Sequence, residues 1–261
     1  MYLIFQILPI WVLMLLRLAI AVFCVVIMGV QITTTKWYIF LTNWAFLLLT
    51  LAFVGLSLVS VIYVIQQCKR QRSTTGQTQE TRGNESERDV EGGGEIEDDL
   101  EKLTWYQKLS WILWIIAANG SAVVTILYWT LIFTPPTDFM DVSIHALNSL
   151  FVLIELFMGS IPVRLLHVVY VMILASIYSI FAVVYWAAGG VNDRGKSYIY
   201  NVIDFENGNA GVAAGILIAT VFLIVPLIQL LLFGLYNLRC YFKKIISPNS
   251  EGDEGYTMKQ M

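Results

Sequence analysis

The sequence predicts an all-α membrane protein, a six-transmembrane-helix bundle with N- and C-termini cytoplasmic and a disordered acidic loop between helices 2 and 3. Three observations carry this. Of the 261 residues, 57% are hydrophobic and only 13% are charged, whereas soluble domains average about 25% charged. Mean hydropathy is +0.70. Six apolar runs are each long enough for a bilayer core, which takes about 20 residues as helix. The runs are continuous rather than alternating. Lipid cannot satisfy free backbone amides, so the runs form helices and a β-barrel is excluded.

In chain order, the spans fall at roughly 9–30, 38–66, 109–134, 142–162, 165–188 and 211–237. The start, "MYLIFQILPIWVLMLL", has no basic leader and no small-residue cleavage site. It therefore reads as a retained span rather than a signal peptide. The second run is long and must tilt or protrude. Residues 67–104 are hydrophilic, basic at "QQCKRQR" and then acidic from Glu80 to Glu101. With little to bury, this segment is expected to be disordered. Two uses for it stand open: a solvated linker, or a docking or phosphorylation segment for a cytoplasmic partner. The whole is one membrane domain: residues 1–66 carry helices 1–2, 105–240 carry helices 3–6, and 241–261 form a tail.

Orientation follows from Lys and Arg. With the N-terminus inside, twelve of the 16 basic residues fall on cytoplasmic segments. Three (Lys36, Arg194 and Lys196) fall outside, and Arg17 lies within a span. Cys68 and Cys240 sit at inner membrane ends beside basic residues. Each is a palmitoylation candidate, with an unmodified thiol as the alternative; Cys24 lies mid-span as packing.

Polar groups inside spans are costly and usually face protein partners. In the fourth span, "HALNSLFVLIELFMG", residues His145, Asn148, Val152, Glu155 and Gly159 share a helical sector of about 80°. That stripe should face the bundle, with Gly159 permitting close approach. At 1.5 Å per residue, Glu155 lies about 15 Å deeper than His145, so the two cannot touch. Glu155 and Arg17 sit at matching depths, roughly 10 and 12 Å above the inner face. They are expected to form a buried pair, unless each is satisfied separately by backbone or hydroxyl groups. Asn148 bridges the stripe between the two levels. His145 and Thr42, in "FLTNW", lie at one depth near the outer face. They could make a nucleophile–base pair. Alternatively, Thr42 bonds its own helix carbonyl and His145 is an interfacial polar residue. Asn119 and Thr125 are expected interhelical hydrogen bonders. His167, beside Arg164, is expected to snorkel at the inner face.

Other chemistry is missing from the sequence: there is no HExxH, P-loop, dinucleotide fingerprint, GxSxG or paired-cysteine metal motif. No cofactor and no metal are expected. Three cysteines are too few for a disulfide framework. A net charge of −3 gives no nucleic-acid footprint.

The stretches "KWYIFLTNWAFLL", "VVTILYWTLIF", "HALNSLFVLIELFMGSIPVRLLHVVY" and "GKSYIYNVIDF" resemble the rolling stone family of multi-pass membrane proteins, across most of residues 11–240. That resemblance implies a role in membrane organisation or cell fusion, myoblast fusion in particular. A more distant resemblance is to the androgen-induced membrane hydrolases. In those, an intramembrane threonine in an "FLT" setting and a histidine ten residues before "IE" cleave esters of hydroxy fatty acids. The resemblance implies Thr42 as nucleophile and His145 as general base, with a lipid ester as substrate. The chain departs from that pattern at Val142, where the hydrolases carry a second histidine, and in its acidic 67–104 segment.

The orientation is testable at the sequon Asn84-Glu85-Ser86. With both termini cytoplasmic, Asn84 stays unglycosylated in expressing cells. An endoglycosidase-sensitive glycan at Asn84 would overturn the topology.

Overall fold

Six helices cross the bundle in alternating directions, so both chain ends lie at one face. The computed structural model describes residues 9–33, 36–80, 104–206 and 210–246. The acidic segment beyond Glu80, including Asn84, and the tail beyond 246 lie outside the described residues. We number the helices α1 (Ile10–Gln31), α2 (Leu41–Glu80), α3 (Trp105–Ile132), α4 (Phe139–Met158), α5 (Leu165–Ala187) and α6 (Ala210–Ile245). No strand occurs among them.

Helix ends follow local chemistry. α2 continues as helix to Glu80 rather than yielding at residue 66, so residues 67–80 are not disordered as expected. The first turns of the extension carry Gln67, Lys69, Arg70, Gln71 and Arg72, which are good helix formers. α3 starts at Trp105, where the Gln107 side chain accepts from the Thr104 N–H at 2.9 Å. Asp138 caps α4, accepting from the Asp141 N–H at 2.7 Å. α4 stops at Met158, short of the expected 162. Pro162 follows closely, and the residue before a proline is steered away from α geometry.

Three helices contain a π-helical turn: Tyr128–Ile132 in α3, Ser143–Leu147 in α4 and Thr220–Ile224 in α6. The last has a local reason. Pro226 has no N–H to donate into the preceding turn, and the helix absorbs this by widening.

The main core lies among α1, α2, α3, α4 and α6. Trp114, Phe46, Phe53, Leu49 and Leu156 are fully buried there. Phe151 of α4 stands edge-on to Phe23 of α1 and Phe53 of α2, at 5.3 and 6.4 Å between centroids. α2 and α3 approach closely over small residues. A Cβ placed on Gly120 would come 3.4 Å from that of Ala45, and one on Gly55 3.0 Å from the Ser110 hydroxyl. Lipid offers no hydrophobic drive for helix pairing, so this backbone proximity supplies the dispersion contact. Outward faces are apolar: α5 exposes Val169, Ile173, Ile177, Ile180 and Val184, spaced at three and four residues as a lipid-facing stripe requires.

A second core closes the face opposite the chain ends, which we call the distal face. Ile199 and Ile203, from the α5–α6 connection, pack with Ile39, Tyr178, Ala182 and Leu217. The connection is pinned from the α1–α2 turn. Lys36, in left-handed backbone at φ 58°, donates to the carbonyls of Val191 and Asn192 at 2.5 and 3.1 Å. Asn192 accepts from the N–H groups of Arg194 and Lys196 at 2.9 and 3.0 Å, which closes the loop on itself.

Candidate functional site

The polar groups of the spans gather at two levels. At the deeper level, Arg17 of α1 meets Glu155 of α4 side-on. Nε lies 2.9 Å from Oε2 and Nη2 lies 2.5 Å from Oε1. Nη1 donates to the Ser60 hydroxyl of α2 at 2.6 Å, and Ser60 itself donates to the Leu56 carbonyl. Both charged side chains are almost fully buried, at 3% and 2% exposure. The fork therefore ties three helices at one point. Gly159 makes room for it: a Cβ there would collide with the Glu155 carboxylate.

One turn further toward the chain ends, Arg239 of α6 is also buried. Its Nη1 donates to the Leu156 and Gly159 carbonyls at 2.6 and 3.0 Å. It thus caps the end of α4, whose last carbonyls have no helical partner. Its guanidinium lies 5.0 Å over the Tyr236 ring. The sequence suggested an interfacial cation here, and burial makes it an internal one. Asn119 of α3 donates to Gln229 of α6 at 2.7 Å, and Gln229 donates to the Arg164 carbonyl at 2.7 Å. Asn148 accepts from Thr125 at 3.0 Å and donates to the Ile144 carbonyl at 2.8 Å. His167 lies 4.9 Å from the Trp111 ring, on which Arg164 also rests. Cys68 is exposed on α2 and Cys240 partly buried on α6, both near the face of the chain ends; Cys24 is buried.

The upper level lies near the distal face. His145 sits in the α4 π turn, stacked flat on Tyr128 with centroids 3.4 Å apart and planes 2° apart. Its Nδ1 is buried without a hydrogen-bond partner. The π turn shifts His145 off the α-helical register that aligns Asn148, Val152 and Glu155, yet leaves it 7% exposed. Thr42 opens α2 and faces elsewhere. Its N–H approaches the Tyr200 phenol oxygen at 3.5 Å, and its side chain contacts the same phenol. No hydrogen bond joins Thr42 to His145. Tyr178 of α5 reaches the same corner, donating to the Ile39 carbonyl at 2.9 Å. Burial pushes the Tyr200 phenol pKa up, against hydrogen bonds with Thr42 that lower it.

Thr42, Tyr178 and Tyr200 border an apolar cavity between α3, α5 and α6 that is partly open to the outside. Tyr128 lines it too, so this ring links the cavity to His145. Sequence reading missed Ser60, Gln229, Arg239, Tyr178 and Tyr200. Gln229 carried a signal, since a glutamine inside "LIVPLIQLLLF" needs a partner in lipid. Tyr200 carried none, because nothing local shows that its loop folds back into the bundle.

The pair's energetics are testable. Glu155→Gln or Arg17→Met leaves one charge buried and unpaired, and each is expected to cost about 3–5 kcal/mol. The double variant Arg17→Met/Glu155→Leu removes both charges and should recover much of that loss, read by thermal unfolding in detergent. A double variant as unstable as the sum of the singles would sink the coupling.

The match to known proteins runs along the whole bundle rather than one segment. Residues 1–251 match the family described as protein rolling stone. Protein rolling stone of Drosophila melanogaster is 29% identical over 242 residues, covering 91% of this chain and 78% of the relative. No solved structure matches. The six apolar helices and the family match agree, and this chain is a multi-pass integral membrane protein belonging to the rolling stone family.

Proposed function

We propose that the chain acts in membrane organisation during cell–cell fusion, of myoblast type, working through its body within the bilayer. One observation carries the reading. The described chain is almost entirely a bundle of six long apolar helices with apolar outward faces, which makes lipids and other membrane helices its nearest partners. Family membership supports it. Both termini are cytoplasmic in this reading. The acidic stretch that follows Glu80 in the sequence then offers its charge to a cytoplasmic partner, and Cys68 and Cys240, near the face of the chain ends, can take acyl chains.

A second reading is a threonine/histidine lipid-ester hydrolase. It is favoured by the position of Thr42 on the wall of the apolar cavity. Its chemistry requires a proton to pass from the Thr42 hydroxyl to His145, and the residue in contact with both the cavity and His145 is Tyr128.

The fusion reading is tested in fusion-competent myoblasts depleted of their resident relative. Re-expression of this chain should restore multinucleate cells, and Glu155→Gln should not. Wild-type chain that reaches the cell surface and leaves fusion unchanged would overturn it. For the hydrolase, an electrophilic serine/threonine-hydrolase probe should label wild type but not folded Thr42→Ala. Equal labelling of both, or none with no ester turnover, rejects that reading.

A further inference from the structure

The cavity between α3, α5 and α6 has a shape and chemistry that the fusion reading does not use. Along α3, its lining runs from Ile132 at the distal end to Ile116, about 24 Å along the axis. A bilayer core is about 30 Å thick, so the cavity crosses most of it. The walls are apolar, with Ala175, Leu217 and Val225 among them. No Asp, Glu, Lys, Arg or His lines it.

Its hydroxyls are unevenly placed. Ser179 and Thr220 donate to the Ala175 and Ile216 carbonyls of their own helices, both at 2.8 Å. Tyr178 donates to Ile39. Thr42 and Tyr200 bond each other at the distal end, with Tyr178 against the same phenol, and a ligand oxygen can join this cluster of hydroxyls. Leu131 lines the cavity and is also 45% exposed, so the cavity reaches the outer surface of the bundle at that same end. The polar end and the mouth therefore lie at the membrane interface, and the apolar end points toward the midplane. A lipid in the adjoining leaflet has the same polarity.

Two of the three π turns build this site. Tyr128, Leu131 and Ile132 come from one, and Thr220 comes from another. A π turn inserts a residue and breaks the regular packing register, and such turns are frequent at functional sites.

We propose that this cavity binds one single-chain neutral lipid from the bilayer, with its hydroxyl or carbonyl oxygen on Thr42 and Tyr200 and its acyl chain running along α3 toward Ile116. The chain region gives little selectivity, because lipid tails are as apolar as the cavity walls. Selection rests on the polar end. Uncharged hydroxyls suit an alcohol or carbonyl oxygen, whereas a phosphate needs cations that the lining lacks.

The test uses the full-length chain in phosphatidylcholine vesicles with a diazirine-bearing long-chain fatty alcohol. The probe has no ester, so its binding is independent of hydrolysis and of the fusion reading. Light-induced attachment should be saturable, map to peptides containing Ala175 and Thr220, and fall on addition of unlabelled alcohol. Ala175→Trp, which fills the cavity, should cut attachment about tenfold. Ile180→Trp, on the lipid-facing side of α5, should leave it unchanged. Tyr200→Phe should weaken competition by the alcohol about tenfold and leave competition by an alkane of equal length unaltered. Should Ala175→Trp not fold, the wild-type saturation and the Tyr200→Phe comparison still decide. Attachment that does not saturate and spreads over Ile173 and Ile180 would mean surrounding lipid only, and would overturn the proposal.

Discussion

A charge buried at bilayer depth must be answered by an opposite charge or by backbone dipoles, and the Arg17–Glu155 fork is how this chain meets that demand at its deepest level. Desolvation of either ion alone is expensive, so the pair forms only where α1 and α4 hold both groups at one depth and angle. The bidentate geometry fixes direction as well as distance. Ser60 adds a third helix to the same point. Gly159 leaves the carboxylate its space, and the end of α4 is then secured by Arg239 of α6. Three helices, α1, α2 and α6, thus converge on the last two turns of α4.

The distal half is built on different physics. Hydrogen bonds from the α1–α2 turn and the α5–α6 connection close it, with Lys36, Asn192 and Tyr178 each bonded to backbone atoms. All three π turns fall in this half or at its border. The tightly packed end fixes the relative helix positions, while the looser end leaves a cavity and brings an imidazole, three phenols and a threonine near it. π turns of this kind are frequent at functional sites in proteins generally.

Legibility differs between these halves for a physical reason. Depth is a one-dimensional quantity that helix rise converts directly from residue number, so Arg17 and Glu155 could be matched before any packing was known. The same reasoning placed Thr42 and His145 at one depth. Depth does not say which way a helix is rotated or which neighbour it meets. His145 turns to Tyr128 and Thr42 to Tyr200. A π turn in α4 also offsets the 100° register on which any rotational argument about His145 depends. Tyr200 lay beyond reach because its loop returns into the bundle through long-range packing of Ile199 and Ile203.

By itself, the sequence determined what the solvent dictates: six spans, their helical state, the apolar outward stripes and the depth of each polar group. Those follow from composition and from the need to satisfy every amide in lipid, which are local properties. Tertiary structure decided which polar groups share a site, that α2 stays helical to Glu80, that Arg239 is internal, and that a cavity opens between α3, α5 and α6. Those depend on helix rotation, on π turns and on a returning loop, which arise only when the helices pack against one another.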